Sequence, residues 1–440
     1  MPNIAEASDP NAAAIRPSFP AIGFVVDDSG PAPAVSERFI IFLVGAVQFV
    51  NVLDFMMVMP LGPDFSDALG IATSHIGVIG GAYTAAAAVS GLLGSLFLDR
   101  FDRRRALAVA MFGLVLGTAL GGMATGLTSM LFARVVAGCF GGPATSIALA
   151  IVADAVPPAR RGKALGAVMG AFAVSSVIGV PLGLELSRIA GWRAPFFAVA
   201  ALGLIVSLTA IAFMPPMRSH LLRANDAEEW SKDQANIGQH RPKLLNVTAC
   251  LSLGTMGTIM LGVFAVVPFL SPYLQHNMGY PRDKIGMLYM VGGITSFVAM
   301  RVVGYWVARA GASRMVLLGT LIYAAALYTC FIHPMAWLPT LFVFTLFMLS
   351  GSVRMVPMQT LATRVPPPEQ RARYMSAQSV VQHVASALGA MGASAFLGST
   401  ASGALRGMNK IAWIALALGC IVPLGALLLE RQLRARDAVS

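Results

Sequence analysis

Residues 39–61 read FIIFLVGAVQFVNVLDFMMVMPL, an apolar stretch interrupted by one acid, Asp54. A membrane helix needs about 20 apolar residues, so this stretch is long enough to span. Of the 440 residues, 57% are hydrophobic and 12% charged, against about 45–50% and about 25% in soluble domains. The composition therefore excludes a soluble enzyme, a disordered protein and a disulfide-stapled secreted domain.

Further apolar stretches of spanning length follow the first one along the chain. The sequence therefore predicts an all-α integral membrane protein with twelve transmembrane helices. The remaining predicted spans are 74–98, 106–126, 128–154, 164–187, 194–214, 245–271, 283–307, 315–333, 337–359, 374–398 and 411–429.

The hydrophilic stretch 215–244 divides these spans into two sets of six, and an internal repeat supports that division. Val156-Pro-Pro after the fourth span recurs as Val365-Pro-Pro after the tenth, and Ser176 recurs as Ser386. Two pseudo-symmetric halves around a midplane cavity are a common plan of secondary transporters. The predicted domains are a disordered tail (1–38), a six-helix half (39–214), a linker (215–244), a second half (245–430) and a tail (431–440).

Basic residues are distributed unequally between the two sides of the predicted bundle. Most of the 31 Lys and Arg residues fall on the side that holds both termini and the linker, which the positive-inside rule makes cytoplasmic. The net charge of +11 then comes mainly from basic residues on the cytoplasmic side, beside the lipid headgroups. No nucleic-acid partner is needed to explain it. The other side has only Arg188, Arg193, Arg282, Lys284, Arg406 and Lys410.

The connection after the second predicted span carries a recognisable motif. It reads Gly91-Leu-Leu-Gly-Ser95-Leu-Phe-Leu-Asp99-Arg100-Phe-Asp102-Arg-Arg-Arg105 and resembles the loop 2–3 signature of the major facilitator superfamily, Gly-x-Leu-Ala-Asp-Arg-x-Gly-Arg-Arg. Ser95 and Asp102 stand where the signature has glycines. In the fifth span, Gly179-Val-Pro181-Leu-Gly183 resembles a degenerate form of the proline–glycine motif of antiporters.

This resemblance covers almost the whole chain beyond residue 38 and is closest to the twelve-helix drug–proton antiporter and sugar-efflux branch. It implies a secondary transporter in a bacterial inner membrane, with both termini cytoplasmic, which we expect to be a monomer. Its partners would be a small-molecule substrate, protons and the lipid bilayer. The proton gradient would supply the energy without any cofactor. In the helix-5 motif, the glycines and the proline would let the helix pack closely and bend.

The acidic and basic residues of loop 2–3 are candidates for a cytoplasmic gate. Asp99 would lie near the start of the eleventh span while the cytoplasmic side is shut, and a carboxylate near a helix N-terminus is stabilised by about 0.3–1 kcal/mol. The alternative is that these side chains only anchor the loop at anionic lipid. The gate candidates are Asp99, Arg100, Arg103 and Arg104.

Asp54 is the only one of the 20 acidic residues deep within a predicted span. Arg134, in the fourth span, lies at a similar depth, about 10 Å from the outer side at 1.5 Å per residue. Ionised groups at membrane depth are costly and are usually paired or functional. A carboxylate that responds to a nearby arginine and to water could carry a coupled proton. The alternative is a permanent bridge that ties the two helices.

Other polar residues inside spans are candidates for the substrate cavity. Within lipid, such side chains turn toward partners or water. They could contact substrate or bind neighbouring helices. For Arg354 we expect either an anionic group or the polar face of the eleventh span as its partner. The candidates are Gln48, Asn51, Arg354, Gln378, Gln382 and His383.

Motifs of enzymes are not found. The sequence shows no phosphate loop, no intramembrane metal-ligand cluster and no spacing typical of a Ser/His/Asp nucleophile. The four cysteines lie in separate apolar runs and are interpreted as small buried residues. We therefore expect no catalytic residue, no metal site and no enzyme activity.

The expected function is proton-coupled efflux of a small amphipathic, drug-like or sugar-like molecule by alternating access. The nearest alternative is a proton-coupled importer of a small nutrient or metabolite, because sequence does not reveal the direction of transport. A more distant alternative is a membrane sensor or lipid-modifying protein that transports nothing.

Overall fold

The computed structural model describes residues 36–217, 246–335, 337–367 and 370–437. They form long helices joined by short connections. The helices are α1 (Glu37–Met57), α2 (Ile76–Phe97), α3 (Arg103–Gly122), α4 (Leu127–Ala155), α5 (Pro158–Met169, Ala171–Val174 and Val180–Ala190, with a π-helical turn over Ser175–Gly179), α6 (Ala194–Phe213), α7 (Val247–Phe264), α8 (Ile285–Ala310), α9 (Ala312–Leu327, with a π-helical turn over Tyr328–Ile332), α10 (Thr340–Arg364), α11 (Arg371–Phe396) and α12 (Met408–Asp437).

Short elements complete the connections. A short helix, Gly62–Leu69, follows α1 and is itself followed by a 3₁₀ turn over Thr73–His75. A second short helix, Val267–Pro272, follows α7 and leads into a π-helical turn over Tyr273–Asn277. Further 3₁₀ turns cover Leu98–Arg100 and Arg282–Lys284. A small antiparallel hairpin pairs β1 (Gly398–Ser399) with β2 (Leu405–Arg406), with Gly398 opposite Arg406.

Eleven of the described helical segments are long and apolar enough to cross a membrane. The remaining long helix, α11, has 26 residues, about 39 Å at 1.5 Å per residue, but its polar face lowers its hydropathy. Each of the twelve predicted spans corresponds to one of these helices. The all-α membrane class predicted from the sequence is therefore confirmed.

Prolines explain where the observed helix ends differ from the predicted ones. α1 ends at Met57, three residues before Pro60, although the apolar stretch continues to 61. The predicted span 245–271 is broken after Phe264, because Pro268 lies in the first turn of the next helix and lacks the N–H that a continuous helix would need. The predicted tail at 431–440 is helical as far as Asp437.

The helices α1–α6 (the N-terminal set) and α7–α12 (the C-terminal set) contact each other closely at one end of the bundle. α2 approaches α11 through glycines: a Cβ on Gly77 would lie 2.4 Å from the Ala390 carbonyl oxygen, and one on Gly81 would lie 2.5 Å from Met391 Cγ. At the same end, the Thr73 hydroxyl donates a hydrogen bond to the Gly403 carbonyl at 2.8 Å. We call this end, which also holds the helix Gly62–Leu69, the sealed end.

At the opposite end, the described ion pairs join helices of one set only. Arg103 pairs with Asp154, joining α3 to α4, and Arg160 pairs with Glu37, joining α5 to α1. The two sets are thus fastened at the sealed end. The predicted domain boundaries at 214 and 245 stay predictions, since most of the linker lies outside the described residues.

The cysteines differ from the sequence-based expectation. Only Cys330 is buried, whereas Cys139, Cys250 and Cys420 lie on the helix surface. A helix that faces lipid can expose an apolar side chain without contact with water, so the surface of a membrane bundle is not a polar surface. The interpretation of all four as buried residues was wrong for these three.

Candidate functional site

Asp54 and Arg134 form a buried ion pair between α1 and α4. Arg134 Nη2 lies 3.0 Å from Asp54 Oδ1, and Arg134 Nη1 lies 3.1 Å from Asp54 Oδ2. Nη1 also donates to the Asp54 backbone carbonyl at 3.3 Å. The side chains are 0% and 1% exposed. Two parallel N–H···O bonds fix the relative orientation of carboxylate and guanidinium.

Neighbouring side chains complete the enclosure of this pair. The Thr118 hydroxyl of α3 donates a hydrogen bond to Asp54 Oδ1 at 2.7 Å. The Arg134 guanidinium carbon lies 5.7 Å from the centre of the Tyr83 ring and 5.8 Å from that of Phe196. Aromatic faces at this distance attract a cation. The carboxylate therefore has three donors, and the guanidinium is held between two rings.

Glycines of α3 allow the surrounding helices to approach the pair. A Cβ on Gly117 would lie 2.4 Å from the backbone nitrogen of Ala137 in α4, and one on Gly121 would lie 2.9 Å from the Phe196 ring of α6. Small residues at helix interfaces permit close backbone packing in membranes. Because α3 has no side chain at these points, α4 and α6 can close around Asp54 and Arg134.

A second polar network lies one turn away, around Asn51 of α1. Its Nδ2 donates to the Gly141 carbonyl at 2.9 Å and to Thr145 Oγ1 at 2.6 Å, and its Oδ1 accepts from the Tyr83 hydroxyl at 2.7 Å. Asn51 thereby ties α1 to both α2 and α4. Tyr83 contacts both networks, since its ring faces Arg134.

Gly141 is required for this second network, and its substitution gives a direct prediction. A Cβ there would lie 2.2 Å from Tyr83 Oη and 2.7 Å from Asn51 Oδ1. We expect Gly141→Ala to lower the free energy of unfolding by about 1–3 kcal/mol, the usual cost of overpacking. Unfolding in detergent by denaturant would measure it. Gly45→Ala in α1 is the control, because nothing lies within 4 Å of its Cβ position. Equal stability of the two variants would contradict the packing described.

The remaining substrate-cavity candidates on α1 and α11 differ in their burial and in their hydrogen-bond partners. Gln48 is buried, and its Oε1 has no hydrogen-bond partner among the described residues. Gln378 donates from Nε2 to Gln359 Oε1 of α10 at 2.8 Å. His383 Nδ1 lies 2.8 Å from the Ser379 carbonyl oxygen of its own helix, and Gln382 is half-buried. Among the described hydrogen bonds, none joins the side chains of Gln48, Gln378, Gln382 and His383 to one another.

Arg354 contacts an aromatic ring in the C-terminal set. Its guanidinium carbon lies 3.8 Å from the centre of the Tyr323 ring of α9, and the Tyr323 hydroxyl donates to the Gly262 carbonyl of α7 at 2.9 Å. In this structure α11 meets α10 through Gln359, and the role of Arg354 toward an anionic group or the α11 polar face stays a prediction. Arg354 is 1% exposed, and within the described residues its Nε and Nη2 have no hydrogen-bond partner.

Loop 2–3 is fastened to its own helix set. Arg103 Nε lies 3.2 Å from Asp154 Oδ2 of α4, and Arg104 donates to the Ile211 carbonyl of α6. Asp102, which replaces a glycine of the signature, caps α3 by accepting from the Arg104 backbone N–H at 2.9 Å, the preferred role of Asp at this position. Arg100 is exposed. The side chain of Asp99 lies outside those that the structure describes, so its gate role stays a prediction.

The helix-5 motif begins at the end of the π-helical turn of α5. The Val180 N–H bonds to the Ser175 carbonyl, which makes the π-helical turn, and Pro181 follows it without an N–H of its own. A Cβ on Gly179 would lie 2.7 Å from Leu53, the neighbour of Asp54. A Cβ on Gly183 would meet only the Cβ of Pro195 at 4.0 Å, so in this structure the close packing of the motif is at Gly179.

Sequence reasoning missed Thr118 and Tyr83, which complete the two networks. Both residue types are common in membrane helices, and only the depth of each along its helix could have indicated that it faces Asp54 or Asn51. Among the side chains that the structure describes, no group of three or more His, Cys, Asp or Glu residues could hold a metal ion.

Comparison with known families gives this site its context. The model of the Major Facilitator Superfamily matches residues 44–260 and 252–439. The chain belongs to this superfamily. The resemblance noted in the loop 2–3 motif is thereby confirmed.

The curated relatives of this major facilitator protein include transporters and resistance proteins. A chloramphenicol resistance protein of Streptomyces lividans is 26% identical over 73% of this chain and 78% of its own length. A purine ribonucleoside efflux pump of Escherichia coli is 27% identical over 58% of this chain and 61% of its own length. An uncharacterised MFS-type transporter of Bacillus subtilis is 26% identical, and the match covers only 62% of its length.

Solved structures of low sequence identity share the fold. A bacterial homologue of the human lysosomal transporter Spinster superposes with a TM-score of 0.69 at 17% identity, over 91% of this chain and 98% of the other. The xylose transporter XylE of Escherichia coli gives 0.65 at 15% identity, over 90% and 96%. The major facilitator fold predicted from the sequence is confirmed.

Proposed function

We propose that this major facilitator transporter exports a small amphipathic molecule in exchange for protons. The observation that carries the proposal is the bidentate Asp54–Arg134 pair, 0% and 1% exposed, at membrane depth. The cost of burying two charges often exceeds their attraction. A buried ion pair in that position is therefore better explained by a function in transport than by its contribution to stability alone.

The function that fits the geometry is the uptake and release of one proton by Asp54. In this structure Arg134 and Thr118 donate three hydrogen bonds to its carboxylate. A conformational change that draws Arg134 away leaves a carboxylate in an apolar site, where a proton and a cationic substrate compete for it. Protonation then removes the unpaired charge. Alternating access would expose Asp54 to one side in each state.

Proposed sites of substrate contact lie next to this pair. Phe55 follows Asp54 in α1, and its ring centre lies 5.3 Å from that of Tyr83 and 5.9 Å from that of Phe264 in α7. Aromatic rings from both helix sets offer apolar contact to varied substrates. Gln48 Oε1 and Arg354 Nε and Nη2, which have no hydrogen-bond partner in the part of the chain that the structure describes, supply polar groups for a substrate or for water once the cavity opens.

The relatives favour export over import. Two of them bear names that specify resistance to chloramphenicol or efflux of purine ribonucleosides. An importer of the same fold is the alternative, since the geometry of a proton site does not fix direction. We propose further that the protein is a monomer in the inner membrane with both termini cytoplasmic, which places the sealed end outside.

Everted membrane vesicles test the proposal directly. We expect radiolabelled chloramphenicol, or a purine ribonucleoside, to accumulate in energised everted vesicles that contain the protein, because their interior corresponds to the outside of the cell. A protonophore should abolish the accumulation, and a pH-sensitive dye should report protons leaving the interior. Vesicles without the protein are the control. Accumulation in right-side-out vesicles instead would establish import, and accumulation without proton movement would contradict coupling.

A further inference from the structure

Asp64 lies at the sealed end and contacts both helix sets. It belongs to the first turn of the helix Gly62–Leu69, which follows α1. The Ser187 hydroxyl of α5 donates to Asp64 Oδ2 at 2.7 Å. Arg282 donates from Nε to Asp64 Oδ1 at 2.6 Å and from Nη2 to Oδ2. This carboxylate therefore accepts hydrogen bonds from two elements that are far apart in sequence.

Arg282 is the member of this group that comes from the C-terminal set. It begins the 3₁₀ turn Arg282–Lys284 directly before α8. Its Nη2 also lies 3.5 Å from the Leu184 carbonyl oxygen of α5. The contact thus connects the start of α8 both to the end of α5 and to the segment after α1. These are helices that must move relative to each other if the two sets rock.

The other hydrogen bonds across the sealed end have different chemistry. Thr73 donates to the Gly403 carbonyl, and Ser271 donates to the Pro60 carbonyl at 3.2 Å. Both are neutral bonds to backbone oxygens. Among the described ion pairs, Arg282–Asp64 is the one that joins the N-terminal and C-terminal sets. Charge-assisted, bidentate bonds are roughly twice as strong as neutral ones.

We propose that Asp64 and Arg282 form the gate latch of the sealed end, with Ser187 positioning the carboxylate. Breaking the pair is required for the sealed end to open, so these residues control the conformational equilibrium of transport. The inference rests on the alternating access of the proposed function but requires neither proton coupling nor any particular substrate. It is separate from the loop 2–3 motif, which lies at the opposite end of the bundle.

The expected size of the effect follows from the exposure of the pair. The Arg282 and Asp64 side chains are 27% and 18% exposed, so solvent screens their attraction in part. An exposed ion pair contributes little, whereas hydrogen bonds to a charged group contribute more. Loss of the pair should raise the ratio of open to closed sealed ends about tenfold, which corresponds to about 1.4 kcal/mol.

Distance measurement between spin labels tests the latch without substrate. Labels on Ala68 and Ser402, both exposed, would report the separation of the two sets at the sealed end. The full chain is used, with its four cysteines replaced and then two introduced for labelling. Pulsed electron resonance in nanodiscs compares the parent with Asp64→Asn, Arg282→Gln and the exchange of the two residues, Asp64→Arg with Arg282→Asp.

The expected result is a larger long-distance population in both single variants, by about tenfold relative to the parent, with the short distance restored by the exchange. The matched control is Arg160→Gln, which removes the ion pair with Glu37 at the opposite end of the bundle, within the N-terminal set and at 66% and 27% exposure, and should leave the distances unchanged. Unchanged distances in Asp64→Asn and Arg282→Gln would overturn the latch. An exchange variant as open as the single variants would also overturn it. Because no proton gradient is applied, failure of proton coupling would leave these outcomes unaffected.

Discussion

Replacing Asp54 with Asn is expected to abolish accumulation of substrate against a gradient while leaving exchange of labelled for unlabelled substrate measurable. Asn has nearly the same shape, so the cavity is kept, but it cannot take up or release a proton. Active accumulation needs that proton, whereas exchange needs only the conformational change. The measurement is uptake into proteoliposomes, with and without an imposed pH difference, alongside the signal of a trapped pH-sensitive dye.

Two further variants make this experiment decisive. Asp67→Asn removes an acid that is exposed on the helix Gly62–Leu69 and should transport like the parent. Asp54→Glu keeps the carboxylate and should retain the part of coupled transport that depends on re-forming the two hydrogen bonds with Arg134. Monodisperse elution from size-exclusion chromatography would establish that each variant is folded.

The outcome also separates the two interpretations of the Asp54–Arg134 pair. A folded Asp54→Asn protein that exchanges substrate but does not accumulate it supports proton coupling. A folded protein that does neither supports a permanent bridge between α1 and α4. Accumulation at the parent level, with the same dye signal, would exclude Asp54 as the coupling group.

Depth along a helix was enough to predict which charged residues could meet. Asp54 and Arg134 lie in different helices at a similar distance from one side, and the carboxylate and guanidinium are in contact in the structure. The polar face of α11 was also visible in the sequence, because a spacing of four residues places Gln378 and Gln382 on neighbouring turns of one helix face. The length of the apolar stretches also sufficed for the membrane class and the number of spans.

Contacts made by aromatic rings or by residues of short connections could not be derived in this way. The partner of Arg354 is a tyrosine ring, and a cation bound to an aromatic face leaves no charge pattern in the sequence. Asp64 and Arg282 lie in short connections, whose positions depend on how two helix sets close at one end. Helix ends were misplaced where prolines such as Pro268 interrupt an apolar run, since hydropathy does not register a missing N–H.

Replacing Arg134 with Gln is expected to lower the free energy of unfolding by about 3–5 kcal/mol, the cost of leaving one member of a buried pair without its partner. Thr118 would still donate one hydrogen bond to Asp54, but both bonds from the guanidinium would be lost. Arg134→Lys should fall between the parent and Arg134→Gln, because an ammonium keeps the charge without the two-pronged geometry. Reversible unfolding in mixed micelles would measure all three.

The double variant Asp54→Asn with Arg134→Gln completes a thermodynamic cycle. Two facing amides can bond to each other, and neither carries a charge that needs a counterion, so the double variant should recover most of the stability lost by Arg134→Gln. The control cycle uses Arg160 and Glu37, an ion pair at the opposite end of the bundle with side chains 66% and 27% exposed. Its coupling energy should stay below about 1 kcal/mol.

The coupling energy decides how much of the site depends on direct contact. Residues that touch show coupling of about 0.5–3 kcal/mol, whereas independent residues add within about 0.5 kcal/mol. A large value for Asp54 and Arg134 means that separating them is costly, so a conformational change that parts them must supply that energy through protonation or substrate binding. Additive losses at Asp54 and Arg134 would mean that Arg134 does not control the charge of Asp54, and the proposed coupling would lose its physical basis.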